Sequence, residues 1–191
     1  LRYVDGKAIP GLYCAGEATG GLHGRERLTA CSMPECGVFG LIAGDNVTLT
    51  NNSMHDLYGM GIRVRGNLIE VEGTDSDKAT NILIDNNEIY YTQKYNSGSN
   101  KGNVLWGMAM NVMNVENVTV TNNEIYKNYG EGIGLELAQY CTVANNTLYD
   151  NFSVEMYVDN VIDSKYHSNF IYNTGDAEFL RNGYQANGIQ I

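Results

Sequence analysis

The sequence is poor in cationic side chains and in histidine. Its 191 residues include 12 Lys and Arg against 22 Asp and Glu, so the formal net charge is −10. This balance argues against nucleic acid or an anionic membrane surface as a partner. The three histidines have no paired spacing and predict no metal site, and neither a P-loop nor a Gly-x-Ser-x-Gly motif occurs.

Cysteine is also scarce, and long apolar runs are absent. The four cysteines form neither a Cys-x-x-Cys pair nor a small-domain disulfide framework, and Cys141 falls in an alternating apolar pattern that predicts a small buried side chain. No segment approaches the apolar length of a membrane span, and no signal peptide is present. We expect both ends to be cut points in a longer chain, so a missing leader says nothing about export.

A ten-residue pattern is present five times between residues 46 and 172. In each copy apolar and polar residues alternate, which is typical of a strand with one buried face, and an Asn-containing corner then turns the chain. The steps between copies are 35, 36, 23 and 23 residues, so the base period is 23 and the first two coils carry insertions of 12 and 13 residues. The second corner residue of the five copies is Asn52, Asn87, Asn123, Asn146 and Asn169.

The repeat predicts which side chains stack above one another in the core. One inward row is Val47, Ile82, Val118 and Cys141, and the next is Leu49, Ile84, Val120 and Val143. A second strand begins ten residues after the corner, with inward pairs Ile62 and Val64, Met110 and Val112, Ile133 and Leu135, and Met156 and Val158. Such coils bury their apolar face only when stacked at the usual strand spacing of roughly 4.8 Å.

Residues 46–191 resemble the right-handed parallel β-helix proteins, the architecture of pectate lyases, polygalacturonases and mannuronan epimerases, and we expect residues 45–191 to form that domain. The resemblance implies an all-β fold of about five coils with a 23-residue base period, preceded by a short N-terminal strand and helix. In the fifth coil the register would place Phe179 and Arg181 inward, which is wrong for a core. Either about ten further residues are inserted and Ile189 with Ile191 form the strand, or the coil is irregular.

Residues 1–44 follow a different, Gly-rich pattern, with a capping box at Ser32 that predicts a helix over 33–43. Four motifs, Gly-Leu-Tyr-x-Ala-Gly-Glu, Thr-Gly-Gly-x-His-Gly, Arg-Leu and Phe-Gly-x-Ile-Ala-Gly, resemble the C-terminal part of the FAD-binding domain of fumarate reductase and succinate dehydrogenase-type flavoproteins. The resemblance implies Glu17 at the nucleotide ribose, Arg27 at the substrate carboxylate and Ser32 facing the flavin ring. Since the Gly-x-Gly-x-x-Gly fingerprint is missing, we expect no FAD binding by this chain alone. The alternative is that helix 33–43 caps the open end of the β-helix.

The second-strand face of the repeat holds the candidate site. Two insertions, about Asn67 to Lys78 and about Tyr91 to Leu105, are expected to wall this face from opposite sides. The pattern predicts a groove with cations at one end and carboxylates at the other. Its outward residues are Arg63 and Arg65 in coil one, Asn111 and Met113 in coil two, Glu136 in coil three, and Tyr157 and Asp159 in coil four.

Glu136 and Asp159 occupy equivalent positions in neighbouring coils, so we expect their Cα atoms to lie roughly 5 Å apart. Two such carboxylates are able to act as the acid and base of a glycosidase. Alternatively, they hold a calcium ion that bridges to an acidic sugar, and Arg63, Arg65 or Lys101 is the base of a β-elimination, as the resemblance to pectate lyases implies. A solvated outer face without a ligand is the third interpretation.

The function hypotheses follow from these alternatives. The first is binding or cleavage of an extracellular polysaccharide, with Asn111, Tyr157 and Lys101 contacting the substrate and an extracellular or periplasmic location. The others are a remnant of a flavin-dependent oxidoreductase and a purely structural repeat module. The sequence does not indicate which oligomeric state the protein adopts. An aromatic column, read as corner filling in preference to a sugar platform, consists of His55, Tyr90, Tyr126, Tyr149 and Tyr172.

Overall fold

The computed structural model describes residues 46–66, 78–98 and 107–191. The predicted N-terminal strand and helix, the domain boundary at residue 44 and most of the two insertions lie outside these ranges. The individual predicted residues outside them are Glu17, Arg27, Ser32 and Lys101.

The described residues form fourteen strands and two short 3₁₀ turns, Lys94–Asn96 and Ala177–Phe179. Pairing between these strands is parallel throughout. The strands are β1 Thr48–Thr50, β2 Ser53–His55, β3 Ile62–Arg65, β4 Ala79–Asp85, β5 Glu88–Tyr90, β6 Met108–Thr121, β7 Glu124–Tyr126, β8 Glu131–Gln139, β9 Thr142–Ala144, β10 Thr147–Tyr149, β11 Val154–Asp159, β12 Lys165–His167, β13 Phe170–Tyr172 and β14 Asn187–Gln190.

The strands stack as coils of a parallel β-helix. One five-stranded sheet runs in the order β13-β10-β7-β5-β2 and contains one strand from each coil, which confirms five coils. The second sheet contains the other nine strands, along the path β1-β4-β6-β8-β11-β14 with β3, β9 and β12 beside it. Strand β6 is 14 residues long because it continues around two corners, at Asn114 and Asn117, without losing its ladder.

Each coil turns at residues in the left-handed backbone conformation, and these residues are stacked in rows. Asn dominates the rows because its short polar side chain tolerates positive φ better than most others. In the predicted Asn pair, the first Asn makes the turn and the second points inward. The rows are Asn46, Asn81, Asn117, Tyr140 and Asp163; Asn51, Asn86, Asn122, Asn145 and Ser168; Asp56, Tyr91, Lys127 and Asp150; and Asn114, Leu137 and Asn160.

The apolar rows predicted from the spacing are confirmed. Val120 pairs in register with Val143, and Ile133 pairs with Met156, with all four side chains fully buried. Burial of each such side chain contributes about 1.5–3 kcal/mol, so the core rows are the main stabilising element. Val47 and Leu49 are only half-buried, because β1 is paired on one side alone within the described residues.

Two buried polar ladders accompany the apolar core. In the first, the Oδ1 atom of each Asn accepts hydrogen bonds from the backbone N–H and the side-chain amide of the Asn one coil earlier, from Asn52 through Asn169. In the second, Thr92 donates to Asn128, Asn128 donates to Asn151, and Asn151 donates to Glu155. The ladders satisfy buried polar groups along the whole stack, as native structures require.

The structure shows that the fifth coil contains an insertion and is not simply irregular. Ile189 pairs with Met156 in β14, so about ten residues are inserted before this strand and Ile191 lies just past its end. Phe179 does not join the apolar rows; it is buried against Tyr91 and Tyr129 instead. The inserted segment therefore covers one corner of the stack before the chain rejoins the sheet.

Candidate functional site

Two outward rows cross strands β3, β6, β8 and β11 side by side. Arg63, Asn111, Gly134 and Tyr157 occupy one row, and Arg65, Met113, Glu136 and Asp159 occupy the other. These rows, together with Glu131, are called the carboxylate face below. With neighbouring strands roughly 4.8 Å apart, the face extends roughly 14 Å from its arginines to Asp159.

Glu136 and Asp159 are partners in the ladder between β8 and β11, as the spacing predicted. Asp159 is exposed and Glu136 is half-buried. The side-chain amide of Asn111 donates a hydrogen bond of 3.4 Å to Glu136 Oε2. Since strand pairing fixes both backbones, the two carboxyl groups are held on neighbouring coils of one rigid surface.

Asn111 has a supporting position in this face. Its side chain is only 4 % exposed, and its amide also lies 2.9 Å from Met108 Sδ. Met108 in turn fills the space above Gly134, where an added Cβ would lie 2.0 Å from the same sulfur. Asn111 therefore contacts Met108 and orients Glu136. A direct contact between Asn111 and a substrate stays a prediction.

Glu131 is a third carboxyl group of the face, and sequence reasoning missed it. The residue is 6 % exposed, and within the described part of the chain its Oε2 atom has no hydrogen-bond partner. Burial first, and then the negative charge of Glu136, raise the pKa of Glu131 to about 7, while Arg181 opposes the shift. Alternation from Ile133 and Leu135 assigns position 131 to the inward side, so the pattern alone did not point to this residue.

The pKa of Tyr157 responds to all three carboxyl groups of the face. Asp159 first, then desolvation, Glu131 and Glu136 raise the pKa of its phenol. At the opposite end, burial and Arg65 lower the pKa of Arg63, and Glu136 counteracts this. Arg63 and Arg65 lie on β3 at one end of the face, and Asp159 lies on β11 at the other, next to Glu136. The groove itself stays a prediction.

Comparison with known proteins gives a family. Residues 26–191 match the family described as "Right handed beta helix region". The chain belongs to this right-handed β-helix family. A second match, to the FAD binding domain, covers residues 2–33. No solved structure matches the chain.

Curated relatives match the chain only over short stretches. The acrylate reductase flavoprotein subunit of Shewanella woodyi is 60 % identical over 40 residues, which are 21 % of this chain and 8 % of that protein. A fumarate reductase of Schizosaccharomyces pombe is 46 % identical over 47 residues, 25 % of this chain and 9 % of its own length. The probable fumarate reductase Ifc3 of Shewanella frigidimarina is 51 % identical over 43 residues, 22 % of this chain and 7 % of its own length. The chain thus spans less than a tenth of each of these relatives.

The aromatic column of this β-helix is a filled corner. Its successive rings stack with centroids 4.7–5.1 Å apart and interplanar angles of 5–15°. Because each inner ring is covered on both faces by its neighbours, the column presents ring edges to solvent and offers no flat platform between its ends. This geometry agrees with the preferred interpretation from the sequence.

A second polar groove, of ≈ 410 Å³, follows the Asn corner of the β-helix. It contains another pair of carboxylates in register, Glu88 and Glu124. Their oxygens already accept hydrogen bonds: Glu88 from Ser53 and Tyr126, and Glu124 from Tyr149. The carboxylates of this groove therefore have fewer oxygens without a hydrogen-bond partner than those of the carboxylate face.

Across residues 46–66, 78–98 and 107–191, no group of three or more His, Cys, Asp or Glu side chains is placed to hold a metal ion. A calcium ion at Glu136 and Asp159 stays a prediction and would need oxygen ligands from a bound acidic sugar. None of the helical segments in this part of the chain has the length and apolar character needed to cross a bilayer.

Proposed function

We propose that the carboxylate face of this β-helix binds an extracellular polysaccharide and hydrolyses its glycosidic bonds. The observation that carries the proposal is the register of Glu136 with Asp159, on the same two rows as Arg63 and Arg65. Two carboxyl groups across a scissile bond are the common requirement of glycoside hydrolysis. Such a substrate implies an extracellular or periplasmic location.

The shape and charge of the face support an extended ligand. Its length of roughly 14 Å, with arginines at one end and carboxylates at the other, suits a chain that lies across several coils. Tyr157 lies at the acidic end of the face, on the same strand as Asp159, and offers a ring edge and a hydroxyl to a sugar. Hydrolysis is preferred to β-elimination because two carboxyl groups in register on neighbouring coils are what glycoside hydrolysis requires.

The test is a panel of soluble neutral and acidic polysaccharides with two product assays. New reducing ends report cleavage by either reaction, and absorbance of unsaturated uronates reports elimination, so hydrolysis gives the first signal without the second. We expect reducing ends from the wild type, and a loss of roughly 10²–10⁴-fold in Glu136→Gln and Asp159→Asn. Glu124→Gln is the matched control, since Glu124 also belongs to a stacked carboxylate pair but lies in the Asn-corner groove.

Three results would contradict the proposal. Unsaturated products would replace hydrolysis by elimination. Unchanged activity in both variants of the carboxylate face would remove this face from the chemistry. A wild type that yields neither product, and that binds nothing on a glycan array, would leave the structural repeat module as the function.

A second candidate is a flavin-linked role for the N-terminal segment. The match to the FAD binding domain over residues 2–33 and the relatives named as reductases favour it. Visible absorption of the purified protein, before and after incubation with FAD, is the test. Flavin bands that persist through gel filtration would rank this candidate first, and Arg27→Ala would then be expected to abolish reduction of a carboxylate substrate while retaining the flavin.

A further inference from the structure

We propose that Glu131 is the general acid of the carboxylate face, the residue that protonates the leaving oxygen when a glycosidic bond is hydrolysed. The proposal rests on the hydrolytic function proposed above and adds a residue that the sequence pattern did not identify. It assigns the acid role to Glu131 and the base role to Glu136 or Asp159, according to their surroundings.

The first argument is the state of the Glu131 oxygens. Glu131 is 6 % exposed and its Oε2 atom has no partner among the described residues, whereas Glu136 is half-buried and Asp159 is exposed. An ionised carboxylate that is buried without a hydrogen-bond donor is costly, so the proton-bearing form is the stable one. A buried carboxyl group with a free oxygen is a proton donor that lacks an acceptor, and a glycosidic oxygen supplies one.

The second argument is the set of charged groups around it. Glu136 opposes ionisation of Glu131, Arg181 favours it, and Glu131 in turn acts on Tyr157. Arg181 also donates a hydrogen bond of 3.3 Å to Ser153 Oγ. Glu131 is thus electrostatically coupled to the outward residues of the same face, and not to the Asn ladders.

The third argument is rigidity. The backbone N–H of Glu131 donates a hydrogen bond of 2.7 Å to the carbonyl oxygen of Gly107, and Glu131 pairs with Met108 in the ladder between β6 and β8. At Gly130 an added Cβ would lie 2.1 Å from the same carbonyl oxygen, so only glycine permits this close approach. The backbone that carries Glu131 is therefore fixed before a ligand binds, as an efficient catalytic acid requires.

The reaction balances with water as the co-reactant. The proton of Glu131 moves to the glycosidic oxygen while the bond from that oxygen to the anomeric carbon breaks, and the oxygen leaves with the bonding electron pair as an alcohol. A water oxygen forms the new bond to the anomeric carbon, and its surplus proton passes to Glu136 or Asp159. Exchange with solvent then returns a proton to Glu131. Two carboxyl groups whose environments separate their affinities for protons are the usual basis for such a division of roles.

The kinetic test uses the leaving group. Glu131→Gln keeps the shape but cannot donate a catalytic proton, so activity on the polysaccharide cleaved by the wild type is expected to fall roughly 10²–10⁴-fold. On a dinitrophenyl glycoside of the same sugar, whose leaving group needs no protonation, the loss is expected to stay below about tenfold. A purely structural role would reduce both activities equally.

The matched control is Glu155→Gln. Glu155 is also buried, and its pKa is also raised to about 7, but both of its oxygens accept hydrogen bonds from Asn151. The wild type should lose activity above about pH 7, Glu131→Gln should lose this dependence, and Glu155→Gln should keep it.

A titration that needs no substrate completes the test. In protein labelled with ¹³C at the Glu carboxyl groups, the resonance missing from Glu131→Gln should titrate near pH 7, and Glu136→Gln should move this titration downward. Titration near the ordinary value of 4.5 would overturn the assignment. So would equal losses of Glu131→Gln on both substrates. A wild type inert on every glycan would instead overturn the hydrolytic function and the acid role with it, while the titration would still decide whether Glu131 holds a proton.

Discussion

Removing one amide from the inner Asn ladder should destabilise the β-helix far more than removing its sequence neighbour. The Oδ1 atom of Asn123 accepts hydrogen bonds from the backbone N–H and side-chain amide of Asn87, at 3.0 and 2.9 Å. Its own Nδ2 donates to the Ile84 carbonyl oxygen and to Asn146 Oδ1, at 3.0 and 2.9 Å. In Asn123→Ala all four bonds are lost inside the stack.

The magnitude follows from which groups are left without a partner. Asn146 Oδ1 still accepts from the Asn123 backbone, and the Asn87 amide still donates to Leu49 and Asp85 carbonyl oxygens. The Asn87 N–H and the Ile84 carbonyl oxygen lose their ladder partner. At about 1–3 kcal/mol for each buried unsatisfied group, the unfolding free energy should fall by about 2–6 kcal/mol. That loss is a large fraction of the 5–15 kcal/mol expected for a folded domain.

Asn122→Gly is the control. Asn122 turns the chain at φ 55°, which glycine adopts without strain, and its exposed amide donates one hydrogen bond of 2.7 Å to Asp85. A loss below about 1 kcal/mol is expected. Urea unfolding followed by circular dichroism gives the midpoint and slope of each variant. An Asn123→Ala variant within about 1 kcal/mol of wild type, or equal to Asn122→Gly, would refute the view that the inner amides hold the coils together.

Two further predictions concern pH and backbone packing. Because the folded-state pKa of both Glu131 and Glu155 is raised from 4.5 to about 7, the folded state binds more protons than the unfolded state in this interval. Each group therefore contributes on the order of 3 kcal/mol to stability, which is fully present below about pH 4.5 and is lost as pH rises through 7. Glu155→Gln should remove the part of this pH dependence that Glu155 causes. Urea midpoints that rise with pH would contradict the argument. Gly130→Ala places a Cβ 2.1 Å from the Gly107 carbonyl oxygen and should cost about 1–3 kcal/mol, whereas Gly59→Ala, with nothing within 4 Å, should change the melting temperature little.

The spacing of the sequence predicted most of the fold because vertical register is a property of the repeat. Once the insertions were removed, a constant step placed Ile133 beneath Met156 and Glu136 beside Asp159, and the ladder shows both pairs. The same arithmetic could not choose between an insertion and an irregular fifth coil, since the inserted residues before Ile189 follow no period. A 23-residue step fixes which residues are neighbours only where no loop is added.

The second buried polar ladder was not predicted from the sequence because its members are different residue types. Thr92, Asn128, Asn151 and Glu155 perform one hydrogen-bonding task, but Thr and Glu do not resemble Asn in a sequence pattern. Glu155 also comes four residues after Asn151, so it completes the ladder from within the same coil. A search for positions 23 or 36 residues apart that hold any short polar side chain would have linked Thr92 to Asn128 and Asn151. It would not have found Glu155.

Burial by itself does not distinguish a structural carboxyl group from a chemical one in this protein. Glu131 and Glu155 both have a pKa raised to about 7, and desolvation is the largest cause for each. Their oxygens differ. Glu155 ends a ladder and accepts a hydrogen bond from Asn151 at each oxygen, so both of its oxygens are already engaged within the fold. Glu131 keeps one oxygen without a partner in the described residues and is coupled to Glu136 and Tyr157 on the outer surface. A buried polar group without a hydrogen-bond partner calls for an explanation, and a ligand that supplies the partner is one. For Glu131, that ligand would lie on the carboxylate face.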